Sequence, residues 1–408
     1  MPNDVKHATP VRLAYIGCWY KNDMYSHNCS NLVDALRVAG TEVDVVTSNC
    51  RCFSTAQKFA IANDELINTN CSAVAIPHAP REPGKKHGTL KYLAVKVLRL
   101  DLILAAVRGF LYYKRARRAD VIHFDQVLEA FGCIPLFIVA ALASLFDKRV
   151  VVTVHEIDPF QRNHQWINRM YHKCAEVLVF SENMKQQVVA LGASSENIKV
   201  IRYGTVIPEL VAAPRTQYLY FGGHFILRGK GYVELLDALA LLKSKGTRIG
   251  LVIYVGYGCN GLEEAKDLAR RKNVTDMVQW RDFYTGEELA KVYQRSRACI
   301  IPFSGGSARH PLTCAMVNAT PIIATRAVDI PEYLGDLGIY IDGTAVGIAS
   351  AISEIESGRQ DLTVLGERLR AKALAELDYN KIAEELNGEY ARIGGKDKFC
   401  QIEPAAVA

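Results

Sequence analysis

A leader pattern is not apparent in the sequence. Residues 1–10 (MPNDVKHATP) hold no apolar h-region and strand-like apolar sequence begins at Val11, so neither a secretory signal nor a transit peptide is expected, and a cytoplasmic protein is. A bilayer span needs about twenty apolar residues, and no run reaches that length. The longest uncharged stretch, FGCIPLFIVAALASLF at 131–146, has sixteen residues with a proline and reads as a buried helix between two parallel strands. Cysteine is present without a pairing pattern: eleven residues, no CxxC, and Cys50 and Cys52 as the nearest pair. That excludes a disulfide scaffold and gives no reason to invoke zinc, leaving reduced, mostly buried thiols. His78, His87, His164 and His172 show no metal-ligand spacing either. Low-complexity tracts are absent. What remains, 408 residues at 50% hydrophobic and 23% charged, is an ordinary globular composition long enough for two domains.

The net charge of +6 is modest, but residues 81–118 hold eleven Lys and Arg against Glu82 and Asp101, a local excess of nine positive charges. Apolar runs (YLAVKVL, LDLILAAV, GFLYY) thread the same segment, as in one or two helices. Lys85, Lys86, Lys91, Lys96, Arg99, Lys114, Arg115, Arg117 and Arg118 are therefore expected to form a patch facing an anionic membrane surface. Each well-placed cation there contributes about 1 kcal/mol. The plainer reading, a core helix with a solvated charged face, stays open. Nucleic acid is not expected, because no recognisable binding motif surrounds the patch.

Short apolar segments rich in β-branched residues recur: VRLAYIG (11–17), EVDVVTS (42–48), DVIHFD (120–125), RVVVTVHE (149–156), EVLVFS (176–181) and IKVIRYG (198–204). Each precedes a longer segment, the rhythm of a parallel sheet covered on both faces. From about Gln217 the rhythm restarts with YLYFGG, RIGLVIYVG (248–256), DMVQWRDF (276–283), ACIIPF (298–303) and TPIIAT (320–325). The pattern predicts two Rossmann-like domains, 1–206 and 207–380, joined through the two-proline stretch 207–216, with 381–408 as a crossover helix and tail. Open α/β sheets bind ligands where strand C-termini meet helix N-termini. A nicotinamide enzyme needs GxGxxG after the first strand; the turn IGCWYKNDMYSH holds only Gly17, so a dehydrogenase is not expected.

The segments EVLVFSENMKQQVVALGASSENIKVIRYGTVIP (176–208), YFGGHFILRGKGYVELLDAL (220–239), 251–303 and TPIIAT resemble, in order and spacing, those of family 4 glycosyltransferases. The resemblance implies an α/β GT-B fold: two Rossmann-like domains facing each other across a cleft, the C-terminal one holding a nucleotide-sugar donor and the N-terminal one the acceptor. It also implies a donor-diphosphate loop carrying Gly222, Gly223, His224, Arg228 and Lys230, with Gly256 and Phe283 further along the domain. The chemistry stands independently: a glycine turn after a strand lets backbone N–H groups approach phosphate, and a nearby cation stabilises charge on the leaving diphosphate. Where the family has Arg and Lys six apart, this chain has His224 and Lys230, losing one bidentate fork. The family's paired glutamates align on Gly306 and Cys314, so both acids are missing. Residues 304–314 (SGGSARHPLTC) offer instead the amides of Gly305, Gly306 and Ser307, the hydroxyls of Ser307 and Thr313, and Arg309 and His310. Gly306, Ser307, Thr313 and Cys314 are the expected donor contacts there.

RVVVTVHEIDP ends a strand at His155, which matches the family's His beside the donor sugar. A ring nitrogen there can bond sugar hydroxyls or share a proton with the reacting centre; a buried, satisfied His is the alternative. Glu156 and Asp158 follow, and WYKNDMYSHN replaces the family's Gly-Gly loop. Trp19 and Tyr20 suit stacking on a sugar face, and His27 and Asn28 suit bonding to an acceptor or phosphate. The expected catalytic set is thus His155, Lys230 and His224, and the acceptor set Trp19, His27, Asn28, Glu156 and Asp158. No Asp-x-Asp occurs, which removes the usual manganese site of the other main glycosyltransferase fold, so neither metal nor other cofactor is expected. The function expected is retaining transfer from a UDP or GDP sugar to a lipid-linked or other glycan acceptor, in polysaccharide or glycoconjugate biosynthesis, by a protein peripheral on the inner face of the cell membrane. The missing glutamates motivate an alternative, a catalytically silent partner that binds a nucleotide sugar or glycan beside an active transferase. A nucleotide-sugar epimerase, the third hypothesis, needs an acid beside C2 of the sugar for which the sequence has no candidate.

Overall fold

Runs of Val, Ile and Leu with no polar alternation form strands buried on both faces, and the short apolar segments take that form. A computed structural model describes residues 10–17, 24–48, 72–74, 100–125, 133–146, 148–155, 157, 176–281 and 286–394. The chain divides into two compact units, Met1–Phe180 with Met184–Ile201 and Tyr379–Ala408, and Ser181–Asn183 with Arg202–Asp378.

In chain order the first part comprises β1 (Arg12–Gly17), α1 (Met24–Val38), β2 (Glu42–Ser48), β3 (Ser72–Val74), α2 (Leu100–Ala116), β4 (Val121–Asp125), α3 (Cys133–Ser144), β5 (Arg149–Thr153), β6 (Glu176–Val179), α4 (Glu182–Ala190) and β7 (Ile198–Val200). Its seven strands are all parallel, in the order β3-β2-β1-β4-β5-β6-β7. One sheet face, carrying Leu13, Tyr15, Val43, Val45, Val121 and Val151, packs with α1 and with the last helix, α12 below. That helix buries Tyr379, Ile382, Ala383, Leu386 and Tyr390, a stripe at helical spacing, and Asn387 fixes it by donating to the Ala39 carbonyl (2.9 Å). On α3, Leu136, Val139, Ala140 and Ala143 are buried but Phe137 is exposed, as are Leu145 and Phe146 beyond it. The helix expected to be buried at 131–146 is therefore buried on one side, its inner side packing against α2. No helix among the described residues is long and apolar enough to cross a membrane.

The second part comprises β8 (Gln217–Phe225), α5 (Tyr232–Ser244), β9 (Leu251–Asn260), α6 (Leu262–Arg271), β10 (Val278–Arg281), α7 (Gly286–Gln294), β11 (Ser296–Ile301), α8 (Arg309–Val317), β12 (Ile322–Ala324), α9 (Ile330–Leu334), β13 (Ile339–Tyr340), α10 (Ala345–Glu356) and α11 (Leu362–Glu376), after which α12 (Tyr379–Ile393) returns to the first unit. Its six strands are parallel in the order β10-β9-β8-β11-β12-β13. The divisions fall at 201/202 and 378/379, a few residues before the 206/207 and 380/381 read from sequence, and residues 379–394 form no separate part. The reason is local: Thr205 N–H donates to the Leu377 carbonyl (2.9 Å) and bridges Asp378, tying 202–205 to the second unit. In each sheet the order reverses beside the first strand, between β1 and β4 and between β8 and β11. These are the switch points where open α/β sheets leave a crevice for ligands.

Candidate active site

In the second unit, the turn after β8 and the loop after β11 meet backbone to backbone. Gly229 and Gly231 both adopt left-handed conformations (φ 63° and 65°), and the Gly229 carbonyl accepts from Ser304 N–H (3.0 Å) and Gly305 N–H (3.2 Å). A Cβ at Gly231 would stand 2.1 Å from the Pro302 carbonyl oxygen, so only glycine permits this approach. Between the two glycines, Lys230 donates from Nζ to the Ser307 carbonyl (3.0 Å) with its ammonium 4.0 Å from the Phe303 ring centroid. Tyr220, deep in β8, donates to the Lys230 carbonyl (3.1 Å) and so pins the turn from below. The loop 304–307 runs directly into α8, whose capping residue Ala308 supplies no side-chain cap. A cation and the amides of an uncapped helix start therefore converge at one switch point, the arrangement that suits a phosphate.

The structure separates the remaining residues expected at the donor. Gly222 and Gly223 lie near the end of β8 and Gly256 within β9; Arg228 is exposed beside the turn. Gly306 (φ 73°) faces Lys230, since a Cβ there would lie 3.7 Å from Nζ. Thr313 is turned away: fully buried, it donates to the His310 carbonyl one turn earlier (3.3 Å). Cys314 lies against the His310 ring (Sγ to Nε2 3.6 Å), and burial pushes its thiol up to about 12, so it is a neutral packing group. Burial likewise lowers His310 to about 4. Arg309 is committed elsewhere, in a buried 2.6 Å ion pair with Asp329. The His224 side chain and Phe283 lie outside the described residues.

In the first unit a second polar cluster forms at the C-terminal ends of β1, β4 and β5. His155 Nε2 donates to Asp125 Oδ1 (2.6 Å), and the Tyr15 hydroxyl donates to Asp125 Oδ2 (2.6 Å). The His155 ring meets Phe180 edge-on, with centroids 4.9 Å apart. Beneath it, His123 is hydrogen-bonded through Nε2 to the Thr153 hydroxyl (2.7 Å) and through Nδ1 to the Tyr390 hydroxyl of α12 (2.7 Å). Burial, with His155 acting in the same direction and Asp125 opposing it, lowers His123 to about 4 and keeps it neutral. Sequence reasoning found His155 but missed Tyr15, Asp125, His123 and Tyr390. The signal lay in strand alternation: HFD puts His123 and Asp125 on one face, TVH puts Thr153 and His155 on one face, and the register pairs Asp125 with Thr153.

Trp19, Glu156 and Asp158 lie outside the described residues, and His27 and Asn28 fall on α1 with side chains outside them. Of the basic patch, Lys85, Lys86, Lys91, Lys96 and Arg99 lie outside too. Lys114 and Arg115 are exposed in the last turn of α2, with Arg117 and Arg118 exposed just beyond it. Along the same helix Ile103, Val107 and Phe110 are exposed at helical spacing.

Comparison with known proteins identifies the family. Residues 26–204 match the glycosyl transferase 4-like domain and residues 215–357 the glycosyl transferases group 1 domain. Together these take in most of the chain, which belongs to the family 4-like glycosyltransferases of GT-B fold. Among individual proteins, the MMP alpha-(1->4)-mannosyltransferase of Mycolicibacterium hassiacum is 23% identical over 175 residues, 42% of this chain and 42% of that enzyme. The match thus spans under half the length of that relative. Sucrose-phosphate synthase from Thermosynechococcus elongatus shares the fold with TM-score 0.70 at 16% identity, covering 94% of this chain and 99% of that one. HepE of Anabaena, solved in complex with UDP, gives TM-score 0.70 at 14% identity, covering 93% and 100%.

Proposed function

We propose that this chain moves a sugar from a nucleotide-diphosphate donor to an acceptor, with Lys230 and the amides of Gly306 and Ser307 holding the diphosphate. The observation that carries the reading is the meeting of the Lys230 turn and the 304–307 loop beside the β8/β11 switch point. HepE structures with UDP and with UDP-glucose share the fold, which supports a uridine diphosphate sugar as donor. As the bond from the anomeric carbon to the β-phosphate oxygen breaks, charge grows on the diphosphate and is met by the ammonium and the amides, while the sugar gains oxocarbenium character. The acceptor oxygen attacks on the face the diphosphate leaves, and its proton passes to a diphosphate oxygen. Configuration is retained, with neither a protein nucleophile nor a metal required.

The acceptor we infer is lipid-linked, met by the protein peripherally at the inner membrane surface during polysaccharide or glycoconjugate synthesis. Support comes from Ile103, Val107 and Phe110 exposed on α2, with Phe137, Leu145 and Phe146 exposed on and after α3 and the four described cations at the end of α2. The silent-partner reading is favoured by Gly306 and Cys314, which supply no carboxylate.

A thermal-shift screen of UDP, GDP and their sugars, followed by a transfer assay, tests both. A ligand at 100 times its dissociation constant adds about 2.7 kcal/mol of stability. The transferase reading expects binding, transfer, and a loss of about 10²- to 10³-fold in kcat for Lys230→Ala. Undiminished turnover in that variant refutes it, and binding without transfer or donor hydrolysis supports the silent partner.

A further inference from the structure

We propose that Asp125, steadied by the Tyr15 hydroxyl, is a positioning residue that fixes the orientation and tautomer of the His155 ring for the transfer reaction. The proposal rests on the transferase reading above and adds the group that acts through His155. Both carboxylate oxygens are engaged at 2.6 Å, Oδ1 by His155 Nε2 and Oδ2 by the Tyr15 hydroxyl, and all three side chains are buried. An ionised carboxylate only accepts, so the shared hydrogen belongs to Nε2, and in the neutral ring Nδ1 is the basic nitrogen. The edge-on contact with Phe180, at an interplanar angle of 71°, sets the ring plane.

Location separates this cluster from ordinary core packing. The same sheet face is apolar at Leu13, Val43, Val45, Val121 and Val151 and turns polar toward the strand C-termini, at Tyr15, His123, Asp125, Thr153 and His155. Tyr15 and Asp125 stand on β1 and β4, the strands that flank the first sheet's switch point. Burying a carboxylate is unfavourable unless it is fully partnered, so a site that needed only packing has little reason to hold one. A ring oriented before substrate arrives needs no rearrangement as charge develops.

The test uses the full chain labelled with 15N-histidine, with His155→Gln identifying the His155 ring signals. The wild-type ring is expected to be protonated at Nε2 and unprotonated at Nδ1. Asp125→Asn, whose amide can donate to Nε2, is expected to shift that proton to Nδ1. It should also lower kcat about 10²- to 10⁴-fold with the donor KM little changed, as tautomer errors do beside catalytic histidines elsewhere. Tyr15→Phe should keep the tautomer and lose activity by about tenfold or less. Should Asp125→Asn not fold, Asp125→Glu decides, since it keeps the charge but displaces it by a methylene: lost kcat at wild-type melting temperature supports the proposal. A wild-type ring protonated at Nδ1, or full kcat in a folded Asp125 variant, overturns it. A wild-type chain that binds no nucleotide sugar removes the transferase reading and this role together, whereas the wrong tautomer removes the proposal alone.

Discussion

Gly231→Ala isolates the junction on which the proposed donor site is built. At φ 65°, alanine is strained by about 1–2 kcal/mol relative to glycine. Its Cβ would also fall 2.1 Å from the Pro302 carbonyl oxygen, a backbone atom at the end of β11 that cannot swing aside. Relieving that overlap by shifting either loop adds about 1–3 kcal/mol, so the total is about 2–5 kcal/mol. Gly246→Ala is the matched control: its φ is 79°, but a Cβ there meets nothing within 4 Å, so it carries the backbone strain without the clash. For a unit of this size each kcal/mol lowers the melting temperature by about 2–4 °C, giving a drop of about 4–20 °C for Gly231→Ala and about 2–8 °C for the control. The two differ more sharply in ligand binding, because only Gly231→Ala moves Lys230 relative to the amides of Gly306 and Ser307. Calorimetry with a nucleotide diphosphate should find affinity reduced at least about tenfold in Gly231→Ala and unchanged in Gly246→Ala. Equal melting temperatures and equal affinities in the two variants would refute the reasoning, since the close approach to Pro302 would then constrain nothing.

Asp329→Ala leaves Arg309 buried without its 2.6 Å partner and should destabilise the protein by about 3–5 kcal/mol in urea titrations; a loss under about 1 kcal/mol contradicts the geometry. Acid should weaken the fold through His123, which takes a proton near 6.5 when unfolded but only near 4 when folded. The unfolded state binds more protons across that interval, so stability is complete above about pH 6.5 and falls by about 3 kcal/mol as the pH drops to about 4. His123→Phe should flatten that slope in denaturant midpoints taken across the range, and an unchanged slope would exclude His123 as its source. Gly306→Glu restores an acid where the family has one, yet it should weaken nucleotide binding in calorimetry: the site has φ 73° and lies next to Lys230, so the new carboxylate competes with the diphosphate for the ammonium. Tighter binding would show that the vacant acid position is a defect of the site. Phe110→Ser and Arg117→Ser should each reduce sedimentation with anionic liposomes, the second effect vanishing at high salt; unchanged sedimentation in both removes the membrane surface from the proposal.

Much of the architecture was legible because parallel strands buried on both faces leave continuous β-branched runs. VVVT and CII cannot be amphipathic helices, and their spacing by helical segments left little choice but two α/β sheets. β3 and β13, Ser72–Val74 and Ile339–Tyr340, were not read as strands, whereas the equally short β7 and β12 sit in longer β-branched runs, IKVI and PIIAT. The Lys230 turn was readable from GKG, since glycines on both sides of a lysine after a strand mark a tight turn. Thr313, expected at the donor, and Arg309, offered by the same stretch, turn elsewhere for one shared reason. Which way a helix's first turn faces is set by tertiary partners, here Asp329 twenty residues on and the His310 carbonyl within α8. Asp125 was invisible as a functional residue because its meaning depends on strand neighbours: its carboxylate meets a His thirty residues later and a Tyr more than a hundred residues earlier.

The two polar centres obey one topological rule applied twice. In the first sheet Tyr15 and Asp125 stand on β1 and β4, and in the second the Lys230 turn and the 304–307 loop follow β8 and β11; each pair flanks the place where strand order reverses. Crossovers leave such a pair of strands in opposite directions, so their C-terminal ends are the one part of a covered sheet where polar groups can point at a ligand without opening the core. The chemistry differs between the two. The first sheet presents a histidine oriented by a carboxylate, suited to directing a hydroxyl or a proton. The second presents an ammonium and backbone amides, suited to negative charge. The proposed reaction joins an acceptor hydroxyl to a sugar leaving a diphosphate, and the two kinds of group stand at equivalent positions on separate sheets.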